Sequence, residues 1–155
     1  EVKTSTVNLE ERIQKTLTGF SSQLKQCNGT VQVRVDEAPA ICYPPKYIQS
    51  ILSNLISNAI KYRSPERPLI IDIETKRMNR DVILAVKDNG LGIDMNLAKD
   101  KIFKIRKVFH KHPDARGFGL FLVKTQVEAM DGEVWAESMP NEGSTFYVKF
   151  KNALA

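Results

Sequence analysis

Apolar residues at Leu9, Ile13, Leu17, Phe20 and Leu24 recur at helical spacing, which predicts an amphipathic helix up to about Lys25. Asn8 stands where its N-cap should be, with Glu11 at the capping-box distance. Asn28-Gly29 signals a turn, and Val31, Val33 and Val35 then alternate with polar residues as in a half-buried strand. Pro39 and Pro44-Pro45 break the chain, and Pro45 suits the first turn of the next helix. That helix, roughly Lys46 to Tyr62, has the strongest pattern, with Ile48, Ile51, Leu52, Leu55, Ile56 and Ala59 on a wide apolar arc. Ser64-Pro65-Glu66-Arg67-Pro68 ends it.

Two strands are expected next, Leu69 to Thr75 and Val82 to Val86, connected through Arg77 to Asp81. Asp88-Asn89-Gly90-Leu91-Gly92 closes the second in a glycine-bearing turn. Residues 94–116 show no clean period and read as a partly helical loop. A third helix is expected from about Phe118 to Met130, with Leu120, Val123, Val127 and Met130 on one face and Gly132 just beyond. Val134-Trp135-Ala136 and Thr145 to Phe150 form a terminal strand pair. The expected fold class is α+β, a two-layer sandwich in which a mixed, mostly antiparallel sheet of about five strands carries three main helices on one face.

A length of 155 residues suits a single domain, 1–155 with a core at 7–150. With 42% apolar and 26% charged residues the chain is an ordinary globular one, not a collagen-like or disordered one. Its apolar runs are too short for a membrane span, and Glu1 to Thr6 do not read as a secretion leader. Cys27 and Cys42 lack metal-ligand spacing and are expected as free thiols in a reducing compartment. Two histidines, His110 and His112, are too few for a closed zinc site. Between Lys99 and Arg116 lie seven Lys and Arg against two Asp, an excess equal to the +5 of the whole chain. Such a field suits a polyanion, either nucleic acid or a nucleotide's phosphates.

Chemistry concentrates elsewhere. Asn54, Asn58 and Lys61 share a stripe of the second helix beside its apolar arc, with Tyr62 adjacent. Asparagine is a poor helix former, so two next to a core call for partners or a ligand. Five of the eight glycines occur as Gly90-x-Gly92, Gly117-x-Gly119 and Gly143, each in a tight connection or before a helix. Such glycines let backbone amides approach a phosphate. One such pair is weak evidence; an ordered set following an Asn-bearing helix is strong.

In that order the chain resembles the catalytic and ATP-binding domain of sensor histidine kinases, in the GHKL ATPase superfamily. NLISNAIKY (54–62) looks like the family's N box, DNGLGID (88–94) like its first glycine box and GFGLFLVK (117–124) like its second. EGSTF (142–146) looks like the third, and KIFKIRKVF (101–109) like the F box. The resemblance extends from Val7 to Phe150 and implies that residues 94–116 are a nucleotide lid, with Phe103 and Phe109 as apolar anchors.

The resemblance also implies ATP and Mg²⁺ as cofactors and a role for each matching residue. Asn58 would hold Mg²⁺ through its amide oxygen, Asn54 would support it and Lys61 would meet the phosphates. Tyr62 would pack on adenine, Asp88 would accept from the adenine amino group, and Gly90, Gly92 and Ile93 would shape the purine pocket. Arg116, Gly117, Gly119 and Leu120 would surround the phosphates, and the hydroxyls of Ser144 and Thr145 would close the adenine end. Departures from the pattern are Val108 near the place of an expected F-box Arg, Phe121 in place of a later glycine, and Tyr43-Pro44 where relatives often carry an Asp.

Hydrolases of the superfamily place a Glu where this chain has Asn54, and an amide cannot serve as a general base near neutrality. Transfer to a protein acceptor is therefore expected over hydrolysis. His110 and His112 are followed by Lys111 and Pro113, not by the acidic residue of a phosphoacceptor motif. The implied reading is a protein histidine kinase's ATP-binding module, lacking the dimerisation hairpin whose His receives the γ-phosphoryl group, with no catalytic residue of its own beyond nucleotide binding. Its implied partners are that hairpin and a response regulator, not nucleic acid; the piece itself is expected monomeric, its parent homodimeric, and its location cytoplasmic. Three alternatives stay open: a nucleotide-binding regulatory module without transfer, a GHKL ATPase, and a nucleic-acid-binding module that uses the basic segment.

Overall fold

The computed structural model describes residues 2–104 and 119–155. Burial alternates along the three central strands β4 (Ile70–Met78), β5 (Asp81–Asp88) and β7 (Gly143–Phe150), so each has one core face and one open face. The outer strands are β2 (Thr30–Arg34) and β6 (Glu133–Met139), and the sheet order is β2-β4-β5-β7-β6. Only β2–β4 is parallel; the other three pairings are antiparallel. On the core face, Ile71, Ile73, Val82, Leu84, Val86, Phe146, Val148 and Phe150 meet the buried sides of α1 (Leu9–Gly19), α3 (Pro45–Lys61) and α5 (Gly119–Ala129) in one hydrophobic cluster. The expected α+β sandwich is the one observed.

Helix α3 covers the span its arc predicted, with Pro45 in its first turn. The Asn8 side chain accepts from the Glu11 N–H at 3.0 Å, as the capping-box spacing requires. The first expected helix is divided: α1 stops at Gly19 and α2 (Ser21–Gln26) restarts after Phe20. Its last turn is weakened by Gly19 and by Thr16 and Thr18, whose hydroxyls bond the carbonyls of Arg12 and Gln14. The expected loop from residue 94 begins with the short helix α4 (Met95–Ala98), capped by Asp94. A second, two-stranded antiparallel sheet, β1 (Ser5–Asn8) with β3 (Ala40–Tyr43), was not anticipated. Four-residue strands are too short to display an alternation. Tyr43, at the departure noted above, lies buried edge-on to Phe150, with ring centroids 4.8 Å apart. Cys27 and Cys42 are both free thiols.

At the end of α5 the left-handed residue is Asp131 (φ 62°), not Gly132. Gly132 answers a different need, since a Cβ there would lie 2.2 Å from the Lys149 carbonyl oxygen. Among the described residues, no helix is long and apolar enough to cross a membrane.

Candidate functional site

The turn after β5 meets both the end of α3 and the start of β7, and the start of α5 lies against Asn54 in the middle of α3. The Tyr62 carbonyl at the C-terminus of α3 accepts from the Leu91 N–H at 2.9 Å. This leaves so little room that a Cβ on Gly90 would lie 2.5 Å from the same oxygen. Gly92 takes a positive φ of 71° and runs against β6, where a Cβ would meet the Met139 carbonyl oxygen at 1.9 Å. No other residue type satisfies both demands.

Asp88 closes β5 on its core face, nearly buried. Its Oδ1 accepts from the Gly90 N–H at 2.8 Å and the Ser144 N–H at 3.3 Å. Burial pushes its carboxyl up to about 6, against the partial opposition of those two amides. Among the described residues no cation is paired with it. A carboxylate that loses water without gaining a counter-charge is a feature of functional sites more than of structural ones. Ser144 sits directly across the ladder from Asp88.

The α3 stripe flanks this corner, and Asn54, Asn58, Lys61 and Tyr62 are each half-buried. The Asn54 Nδ2 donates to the Ser50 carbonyl at 2.8 Å and to its hydroxyl at 3.3 Å. Its Oδ1 meets the first turn of α5, where a Cβ on Gly119 would come within 2.8 Å of it. The Asn58 amide forms no hydrogen bond among the described residues, so one of the two asparagines has a structural partner and the other is available. Burial raises the Tyr62 phenol above its usual value. Ile93 and Leu120 are half-buried against the core cluster.

Contacts in the structure join Tyr62, Asp88, Gly90, Gly92, Ile93 and Ser144 at one corner and Asn54 with Gly119 farther along α3; Asn58 and Lys61 lie on the α3 stripe between, and Leu120 follows Gly119 on α5. The structure sets Thr145 apart. Thr145 pairs with Lys87 on the open face of the sheet, one pleat away from the Asp88–Ser144 pair. Its hydroxyl therefore cannot close the same pocket as Ser144, and the expectation for it is corrected. Arg116 and Gly117, much of the F box and the histidines lie outside the described residues.

Two residues of the site escaped the sequence reading. Arg67, placed there only in a helix-ending proline segment, donates to the carbonyls of Asn89 (2.8 Å), Gly90 (2.9 Å) and Asn141 (2.7 Å), binding two turns into one wall. Ser138 on β6 accepts from the Ile93 N–H at 2.7 Å and lies 2.7 Å from the Ser144 hydroxyl. No local pattern marks either, although the two prolines that flank Arg67 announce a rigid turn.

A metal ion is a fit here only of a particular kind. Among the described residues no group of three or more His, Cys, Asp or Glu could hold one. The Asn58 amide oxygen, without a hydrogen-bond partner among the described residues, suits a hard cation that takes most of its ligands from phosphates and water, which describes Mg²⁺.

Residues 44–154 match the family described as histidine kinase-, DNA gyrase B- and HSP90-like ATPase. Cyanobacterial phytochrome A of Nostoc sp. is 32% identical over 90% of this chain, and sensor protein RprX of Bacteroides fragilis is 29% identical over 95%. The chain spans 18% and 29% of their respective lengths. Among solved structures, the nucleotide-free catalytic domain of histidine kinase ThkA superposes with a TM-score of 0.80 at 24% identity, covering 96% of this chain and 95% of that one. Full-length ShkA in complex with AMPPNP gives 0.84 at 21% identity, over 100% of this chain and 32% of that one. ThkA in complex with the response regulator TrrA gives 0.77 at 23% identity, over 98% and 42%.

Proposed function

Because the chain belongs to the histidine kinase-, DNA gyrase B- and HSP90-like ATPases and has the fold of a histidine kinase catalytic domain, we propose that it binds Mg²⁺-ATP in the corner between α3, the 88–93 turn and the start of α5. From there the γ-phosphoryl group passes to a histidine on a separate dimerisation hairpin. The observation that carries this reading is Asp88: buried, held by two backbone amides, and with no cation paired to it among the described residues. A carboxylate in that state is matched to an uncharged donor such as the adenine amino group. A 6-oxo purine presents an acceptor at the same place and is rejected.

Tyr62 packs on the base and Gly90, Gly92 and Ile93 shape its pocket, while Gly119 and Leu120 bring the amides of the α5 N-terminus toward the phosphates. Lys61 contributes a point charge at the end of α3. Asn54 holds the α5 start in place and leaves Asn58 to ligate the cation. When bound, Mg²⁺ neutralises charge developing on the transferred group. Phosphoryl transfer rests on positioning and charge stabilisation, so the domain needs no nucleophile of its own. Asn54 in place of a water-activating Glu favours transfer over hydrolysis. We assign Arg116 and Gly117 to the phosphate side on the motif alone.

The domain is cytoplasmic, its parent is a homodimer that signals to a response regulator, and the isolated chain is a monomer. The test is to mix the chain with a dimerisation hairpin and γ-labelled ATP. Acid-labile label is expected on the hairpin histidine. Tight Mg²⁺-ATP binding with no transfer to any intact hairpin would leave a nucleotide-binding regulatory module.

A further inference from the structure

Ser138 stands at the junction of three parts of the site, and its hydrogen-bonding capacity is used in full. A serine hydroxyl has one proton to donate and two lone pairs. The Ile93 N–H occupies one lone pair at 2.7 Å, and the proton goes to the Gly143 carbonyl at 3.0 Å. The Ser144 hydroxyl lies 2.7 Å away, and either oxygen of that pair can be the donor. With the Ser138 proton on the Gly143 carbonyl, Ser144 is the donor of the pair and spends its only proton on Ser138. Its own lone pairs remain for the site, on the same face as Asp88, whose Oδ1 already accepts from the Ser144 N–H.

We propose that Ser138 is a specificity-determining positioning residue: by taking the Ser144 proton, it makes the base-recognising edge of Asp88 and Ser144 accept only. An edge of two acceptors suits an amino-bearing purine and opposes a 6-oxo one. Ser138 acts through Ser144 and touches no ligand. Its other two bonds tie the Ile93 turn to the Gly143 turn, so the hydroxyl sets pocket polarity and pocket shape together. The inference rests on the adenine-binding reading above.

The test compares the affinities of Mg²⁺-ATP and Mg²⁺-ITP, which differ at the 6-position of the purine, by calorimetry. In Ser138→Ala the Ser144 proton is released and can be offered to a 6-oxo group. The ATP-to-ITP preference should narrow by roughly tenfold, the worth of one hydrogen bond changed from mismatched to matched. Ser138→Thr keeps the hydroxyl and should keep the preference. Ser144→Ala should narrow the preference alone and make it insensitive to Ser138→Ala. If Ser138→Ala weakens both nucleotides equally, Ser138 is a structural tie only and the proposal falls. Should Ser138→Ala fail to fold, an unchanged preference in Ser144→Ala overturns the proposal just as well. Wild-type chain that binds no ATP would sink the adenine reading itself, whereas binding with an unaltered preference in these variants sinks this inference alone.

Discussion

Replacing Asp88 by Asn separates what the carboxylate does for the fold from what it does for the ligand. Burial pushes its carboxyl from 3.8 to about 6, so the native state retains a proton that the unfolded chain releases between about pH 4 and 6. With more protons bound by the native state, stability falls as pH rises through that window and is level above it. A shift of roughly two units is worth about 3 kcal/mol. Asparagine resembles the neutral acid, with its oxygen accepting from the Gly90 and Ser144 amides. Asp88→Asn should therefore match the wild type near pH 4 and be more stable by up to about 3 kcal/mol at pH 8, read by urea unfolding across the range. Binding moves the other way. With its oxygen on the backbone, the amide presents N–H to a ligand that also brings N–H, losing a charge-assisted bond worth about 1.5–3 kcal/mol. Mg²⁺-ATP affinity should fall by roughly 10- to 150-fold. In the wild type it should decline as pH drops below about 6, where Asp88 takes up its proton. A variant that is destabilised at pH 8 and still binds ATP normally would show that Asp88 is a structural residue.

Asn58→Ala removes an amide without a partner among the described residues and substitutes the best helix former, so thermal stability should hold or rise by a few tenths of a kcal/mol. Its ATP affinity should lose most of its Mg²⁺ dependence, and an unchanged Mg²⁺ titration would move the cation elsewhere. Gly92→Ala places a Cβ 1.9 Å from the Met139 carbonyl oxygen at a positive φ; roughly 3 kcal/mol of stability should be lost by chemical denaturation, and a fully stable variant would contradict the backbone path described. Arg67→Ala leaves three carbonyls without their donor, which should cost about 2–4 kcal/mol. Amide exchange at residues 89–92 should accelerate in that variant more than in α3, whereas uniform acceleration would argue against a local clamp.

Much of the architecture was legible because hydrophobic periodicity is a local property. The arc on α3, the alternation in β4, β5 and β7 and the Asn8 cap each involve residues within a few positions of one another, and each stands where the pattern put it. Asp88 and Gly90 were likewise legible as neighbours in one turn. Thr145 was legible too, and misread: Ser144 and Thr145 are adjacent on a strand, so a period of two sends only one of them to the site.

Tertiary structure alone decided the partnerships across the chain. Arg67 reaches the Asn141 carbonyl 74 positions away, and Ser138 meets the Ile93 amide across 45. Such a bond uses generic backbone groups, which leave no trace in residue type. The same holds for which of the two asparagines on α3 is engaged: both look alike in the sequence, but only Asn54 has Ser50 one turn back and the α5 start pressed against its oxygen. Local pattern determined which elements form and where chemistry could sit; the long-range register of strands and turns determined which groups are satisfied by the protein and which are left for a ligand.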